Sequence, residues 1–85
     1  MSPRGVQVIV TIRVLLVRNT ATTKCVARGY LPSGQEFITG PIVDGTDRSA
    51  RNLTVQPIVA WILANRPGWG FEIDDQRFAQ VEAVS

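Results

Sequence analysis

The chain has 85 residues, 45% of them hydrophobic, which leaves room for one domain around one modest core, because small domains bury a smaller share of their surface. Only 19% of the residues are charged, against roughly 25% in an average soluble chain, so polar side chains are scarce for covering the outside. The net charge of +2 is almost wholly arginine, Lys24 being the only lysine, and the absence of histidine removes the usual general base near neutral pH and the commonest metal ligand.

The opening residues combine Arg4 with an apolar run, superficially like a secretory leader. Arg13 interrupts that run, and residues 19–22 make a poor cleavage site, so a chain without a leader in a reducing cytoplasm is expected. The run is also far short of the roughly 20 apolar residues a bilayer span needs, so no membrane partner is expected. Cys25, the only cysteine, has no second thiol to pair with inside the chain.

Residues 6–18 place Val6, Val8, Val10, Ile12, Val14 and Leu16 at even positions, with Gln7, Thr11 and Arg13 at odd ones. Period two in β-branched residues predicts a long strand. A turn over 19–22 and a second strand over 23–31 follow. In a hairpin with a two- or four-residue loop, positions summing to about 41 face each other, pairing Val14 with Ala27 and Leu16 with Cys25. The even face of the first strand is then apolar. Pro32 and Gly34 suit a tight turn, and residues 36–39 form a third strand that sets Phe37 across from Gly29. Pro41, which cannot donate to a ladder, ends it.

A polar loop runs from Asp44 through Arg51. Pro57 is tolerated in the first turn of a helix, so Thr54 is the expected N-cap and the helix spans 54–65, with Asn65, Arg66, Pro67 and Gly68 as its stop. Asn52-Leu53-Thr54 matches a glycosylation sequon, here taken as helix-start chemistry. Trp69, Phe71 and Ile73 alternate with Gly70, Glu72 and Asp74 as a fourth strand. Asp74, Asp75 and Gln76 suggest a turn or helix start, and residues 77–84 a final strand or a frayed helix. The expected architecture is one α+β domain over 1–85, an antiparallel meander with a helix on its apolar face and a C-terminal strand, in the order βββαβ.

Between Thr54 and Asn65 there is no charged residue. Val55, Ile58, Val59, Trp61, Ile62 and Leu63 sweep an arc of about 200°, and Ala60 and Ala64 fill most of the rest. One small sheet covers one side of such a helix, so its far side implies a subunit interface or another bound protein, with a twofold dimer as the default form. Trp61, Ala60, Ala64 and Trp69 are the interface candidates. Trp69, between two glycines, is either an interface anchor or a partly buried residue beside Phe71 after a helix stop, and the stop signal favours packing.

Other chemistry is weakly signalled. Cys25 falls on the apolar face of its strand, a core position. A metal site would have to be all-oxygen, drawn from Asp44, Asp47, Asp74 and Asp75, and paired aspartates at turns usually satisfy local backbone donors, so neither metal nor cofactor is expected. On the odd face Arg13 falls opposite Arg28, Thr11 opposite Tyr30, and Val17 opposite Lys24. Opposed like charges are unfavourable unless an anion or a neighbouring glutamate such as Glu36, Glu72 or Glu82 intervenes. The sequence therefore supports first a non-catalytic interaction or accessory module that self-associates. Second is a small nucleic-acid-binding protein using Arg13, Lys24, Arg28 and Tyr30. An enzyme acting through carboxylates such as Asp74 and Asp75 comes last.

Overall fold

The computed structural model describes residues 8–18 and 21–78. They form a mixed sheet and one helix: β1 (Ile9–Arg18), β2 (Thr23–Tyr30), β3 (Glu36–Thr39), β4 (Val43–Asp44), α1 (Arg48–Asn65) and β5 (Gly70–Asp75). The sheet order is β3-β2-β1-β5, with β4 pairing β2 just past the end of β3. This is a small α+β fold in the expected strand-helix-strand order, with the two-residue β4 in addition. The ambiguous tail over 77–84 lies mostly outside the described residues.

The β1–β2 hairpin has the register that the alternation requires: Val14 faces Ala27, Leu16 faces Cys25, and Arg13 faces Arg28. Val10, Ile12, Val14, Cys25 and Ala27 share one face and are fully buried beneath Ile58 and Ile62 of α1. β5 runs parallel to β1, with Ile12 beside Ile73 and Arg13 beside Asp74. Asp74 and Asp75 therefore belong to the strand rather than to a turn, because the ladder to β1 continues through Gln76, whose N–H reaches the Val14 carbonyl at 2.8 Å.

At the β2–β3 pair, Ile38 and not Phe37 is the partner of Gly29, because the register shifts between Gly29 and Tyr30. The irregularity turns both side chains to the helix side. A Cβ at Gly29 would lie 2.6 Å from Ile38 Cγ2 and 3.3 Å from the Phe37 ring, so only glycine leaves space for both.

The helix begins six residues before the position expected from Pro57. Asp47 is its N-cap, accepting the Ala50 N–H at 3.0 Å, which leaves Thr54 and Pro57 inside the helix. Pro57 deprives the Leu53 carbonyl of its helical partner, but both residues lie on the exposed side, where water can take that carbonyl. Thr54 does different work. It is fully buried, its Oγ1 accepts the Ala27 N–H at 2.9 Å, and its hydroxyl donates to the Pro41 carbonyl. The Ala27 carbonyl in turn accepts the Gly40 N–H at 2.8 Å. Between the end of β3 and the start of β4 the outer strand leaves β2, and a helical hydroxyl replaces the missing ladder donor and acceptor. The approach is close: a Cβ on Gly40 would sit 2.2 Å from the Thr54 carbonyl oxygen.

Thr54→Val keeps the volume but strands the Ala27 N–H and the Pro41 carbonyl in the interior, and is expected to destabilise the fold by about 1–3 kcal/mol in denaturant unfolding. Thr54→Ser, which retains the hydroxyl, is expected to recover most of that loss; a loss in Thr54→Ser with none in Thr54→Val would show that the methyl and not the relay matters.

Candidate functional site

Pinned through Thr54, α1 buries Ala50, Val55, Ile58 and Ile62 against the sheet. The opposite face carries Leu53, Gln56, Pro57, Ala60, Leu63 and Ala64, all exposed, with Leu53 57% and Leu63 59% accessible. The interface candidates Ala60 and Ala64 thus stand side by side on the outward face, one helical turn apart. No charged side chain interrupts the surface from Asn52 to Asn65.

Trp61 marks one flank of the helix. Its ring lies 5.9 Å from that of Phe37, which is also 5.9 Å from Trp69 in an edge-on arrangement. The Arg66 guanidinium lies over both indoles, 5.7 Å from the Trp61 ring centre and 5.6 Å from that of Trp69. Trp69 is half-buried against the core, as its place after a helix stop suggested, while Trp61 remains more than a third exposed. The two tryptophans therefore join one aromatic cluster at the C-terminal end of α1, with Phe37 as its inner member and Arg66 as its cation. In the sequence Phe37 is only the residue set across from Gly29 and Arg66 only part of a helix stop; neither is a site candidate there, since their contacts depend on the irregular β2–β3 register and on the geometry of that stop.

On the other flank, about 200° round the helix from Trp61, lie Val59 and Leu63. They face the β5 side, where Phe71 and Ile73, on the helix side of the sheet, are 38% and 43% exposed. The helix packs on β2 and β1 and leaves β5 largely uncovered on this side. An apolar surface thus continues from the outward face of α1 to the edge of the sheet.

The basic candidates lie on the opposite face of the sheet. Arg13 is flanked by Arg28 on β2 and by Asp74 on β5, whose Oδ2 accepts from its Nε at 3.3 Å. Its guanidinium also lies over the Tyr30 ring at 5.1 Å. An aspartate of the parallel neighbour, rather than a glutamate, relieves the opposed arginines. Lys24 is paired with Asp44 across the β2–β4 contact. Of the three cations, Arg28 alone makes no ion pair among the described residues. Such exposed pairs contribute little to stability, but they lower the positive potential an anion would meet.

The remaining charged cluster ties the ends of β5 and α1 together. Asp75 takes the Arg77 guanidinium in a fork, at 2.9 Å from Nε and 2.8 Å from Nη2, while Arg77 Nη1 donates to the Thr46 carbonyl at 2.8 Å. Arg51 stands 3.9 Å from the same carboxylate. The hydrogen bonds from Arg77 hold the Asp75 carboxyl below the ordinary aspartate range, and the pair raises Arg77 in turn. Cys25 lies buried nearby, and burial pushes its thiol up, which keeps it protonated and a poor nucleophile. Among the described residues no group of three or more potential metal ligands comes together.

No protein family, curated protein or solved structure matches the chain, so the reading of these surfaces rests on their own chemistry.

Because Asp75 is depressed in the folded state, the unfolded chain binds this proton first on acidification. Its stabilising contribution is full above the ordinary carboxylate range and is lost as the pH falls through the folded-state value. Asp75→Asn is therefore expected to lower stability at neutral pH and to flatten the acid limb of a stability-against-pH curve. An unchanged acid limb would show that the fork carries no linkage.

Proposed function

We propose that this chain is a non-catalytic protein-interaction module that self-associates and presents α1 to a protein partner. The observation that carries the reading is the charge-free outward face of α1. It sets Ala60 and Ala64 in its centre, Leu53 and Leu63 exposed beside them, and Trp61 at one flank with Trp69 below it. A contiguous apolar surface of this kind is uncommon on monomers, and tryptophan at its margin suits an interface anchor. Asp74 and Asp75, the carboxylates named as examples for a catalytic role, are engaged by Arg13 and Arg77, which supports a non-catalytic reading.

Nucleic-acid binding through Arg13, Lys24, Arg28 and Tyr30 is the second reading. The side-by-side Arg13 and Arg28 with Tyr30 support it; the carboxylates already on Arg13 and Lys24 weaken it. It requires binding to a mixed-sequence oligonucleotide that falls steeply with salt and disappears in the Arg13→Ala, Arg28→Ala double variant. Salt-insensitive binding, or none, removes it. Among the described residues no helix is long and apolar enough to cross a membrane. We place the module in the cytoplasm because its single cysteine has no partner thiol within the chain.

Sedimentation of the full chain tests the principal reading. The mass is expected to rise from that of one chain on dilution to that of a dimer or more at tens of micromolar. A strict monomer across that range would overturn self-association.

A further inference from the structure

We propose that copies of this chain meet along β5, whose free edge pairs antiparallel with β5 of a second copy so that Glu72 lies opposite its own counterpart. This rests on the self-association proposed above, but not on α1 being the surface that supplies it.

The backbone of β5 sets the phase. Gly70 and Gln76 donate to the carbonyls of Val8 and Val14 at 2.8 Å each. In a parallel ladder the N–H and C=O of one residue point the same way and alternate along the strand. Gly70, Glu72, Asp74 and Gln76 therefore face β1, while Phe71, Ile73 and Asp75 turn their backbone groups outward. Among the described residues no strand lies beyond β5. The opposite edge is blunted: it consists of the four residues of β3 and the two of β4, separated by Gly40, Pro41 and Ile42. β5 has six residues and no proline. Among the described residues it is the longer and unprotected template.

Side chains choose the occupant and the register. With Glu72 opposite Glu72, Phe71 of each copy faces Ile73 of the other on the helix side, covering two side chains that are 38% and 43% exposed in the single chain. Both members of each such pair have outward backbone groups, so four ladder hydrogen bonds form. Shifting the pairing to set Phe71 opposite itself would call on the Trp69 N–H, which already donates to the Arg66 carbonyl at 2.9 Å. Shifting it the other way sets Phe71 against Asp75.

Charges act on this register in both directions. Asp74 is held by Arg13 and Asp75 by Arg77, which leaves Glu72 as the one carboxylate of β5 without an ion pair among the described residues. Trp69 falls opposite Asp75 of the second copy. Arg66, lying over Trp69 and without an ion pair among the described residues, is then beside that carboxylate. The one unfavourable contact is Glu72 on Glu72, a like-charge pair directly opposed. The outcome is a single continuous sheet with both helices on one side and the outward faces of α1 left for another partner.

The test uses the full chain, with sedimentation equilibrium and residue-resolved amide exchange at low and high concentration. The Phe71 and Ile73 amides are expected to exchange rapidly in dilute protein and to become protected as the dimer forms. Ile73→Lys, at an exposed position, is expected to abolish the dimer while leaving the monomer folded. Glu72→Gln is expected to tighten it about two- to fivefold by removing the opposed charges. A dimer in which those amides stay unprotected, or whose affinity is untouched by Glu72→Gln, overturns the proposal. A dimer broken by Ala60→Glu with Ala64→Glu but not by Ile73→Lys moves the contact to α1 and sinks this inference alone. A monomer at every concentration sinks the self-association reading with it.

Discussion

The Thr54 hydroxyl occupies a position that a strand would normally fill. β2 loses its outer neighbour where Gly40 and Pro41 lead the chain away, and a buried peptide group without a partner costs on the order of a kcal/mol or more. Thr54 accepts from Ala27 and donates to Pro41, so one side chain satisfies both halves of the gap. That contact also fixes the rotation of α1 about its axis. With Thr54 turned to the sheet, Ile58 and Ile62 must follow at four-residue steps, and Leu53, Pro57, Ala60 and Ala64 must point away.

The surfaces left uncovered follow from that rotation. The helix sits over β2 and β1, so Phe71 and Ile73 on β5 share the helix face without lying under the helix. The outward face of α1 stays apolar because the stretch supplies no charge to put there. The polar chemistry is concentrated instead at the strand ends and on the opposite face of the sheet, in the Arg13–Asp74 and Asp75–Arg77 pairs. Charge is spent on closing the fold rather than on solubilising the helix. That division makes an interaction module a more economical reading than an enzyme.

How much of this was legible in the sequence depended on the range of the interactions. The β1–β2 register could be read to the residue, because alternation over Val10, Ile12 and Val14 and a short turn act locally and agree with each other. The helix start could not. Pro57 argued for a late start, and the Asp47 cap with an exposed Leu53 carbonyl outweighed it. Asp74 and Asp75 resembled a turn because the ladder to β1 and the Arg13 partner of Asp74 are assigned only once β5 lies parallel to β1. The Thr54 relay spans 27 residues to Ala27 and leaves no local pattern. Of the candidate residues, Ala60 and Ala64 were placed correctly on the outward face by helical spacing alone. The cluster around Phe37 and Arg66 was missed, since it needs the irregular step between Gly29 and Tyr30.

The central claim is that the apolar surface running from α1 to the β5 edge is covered by protein in use. Solvent accessibility mapped residue by residue with a soluble paramagnetic probe, at high dilution and then at high concentration, tests it most directly. The account predicts that Phe71 and Ile73 are strongly relaxed in dilute protein and become shielded on concentration, while Arg18 and Ser33 are equally accessible in both. Identical accessibility at the two concentrations would contradict it.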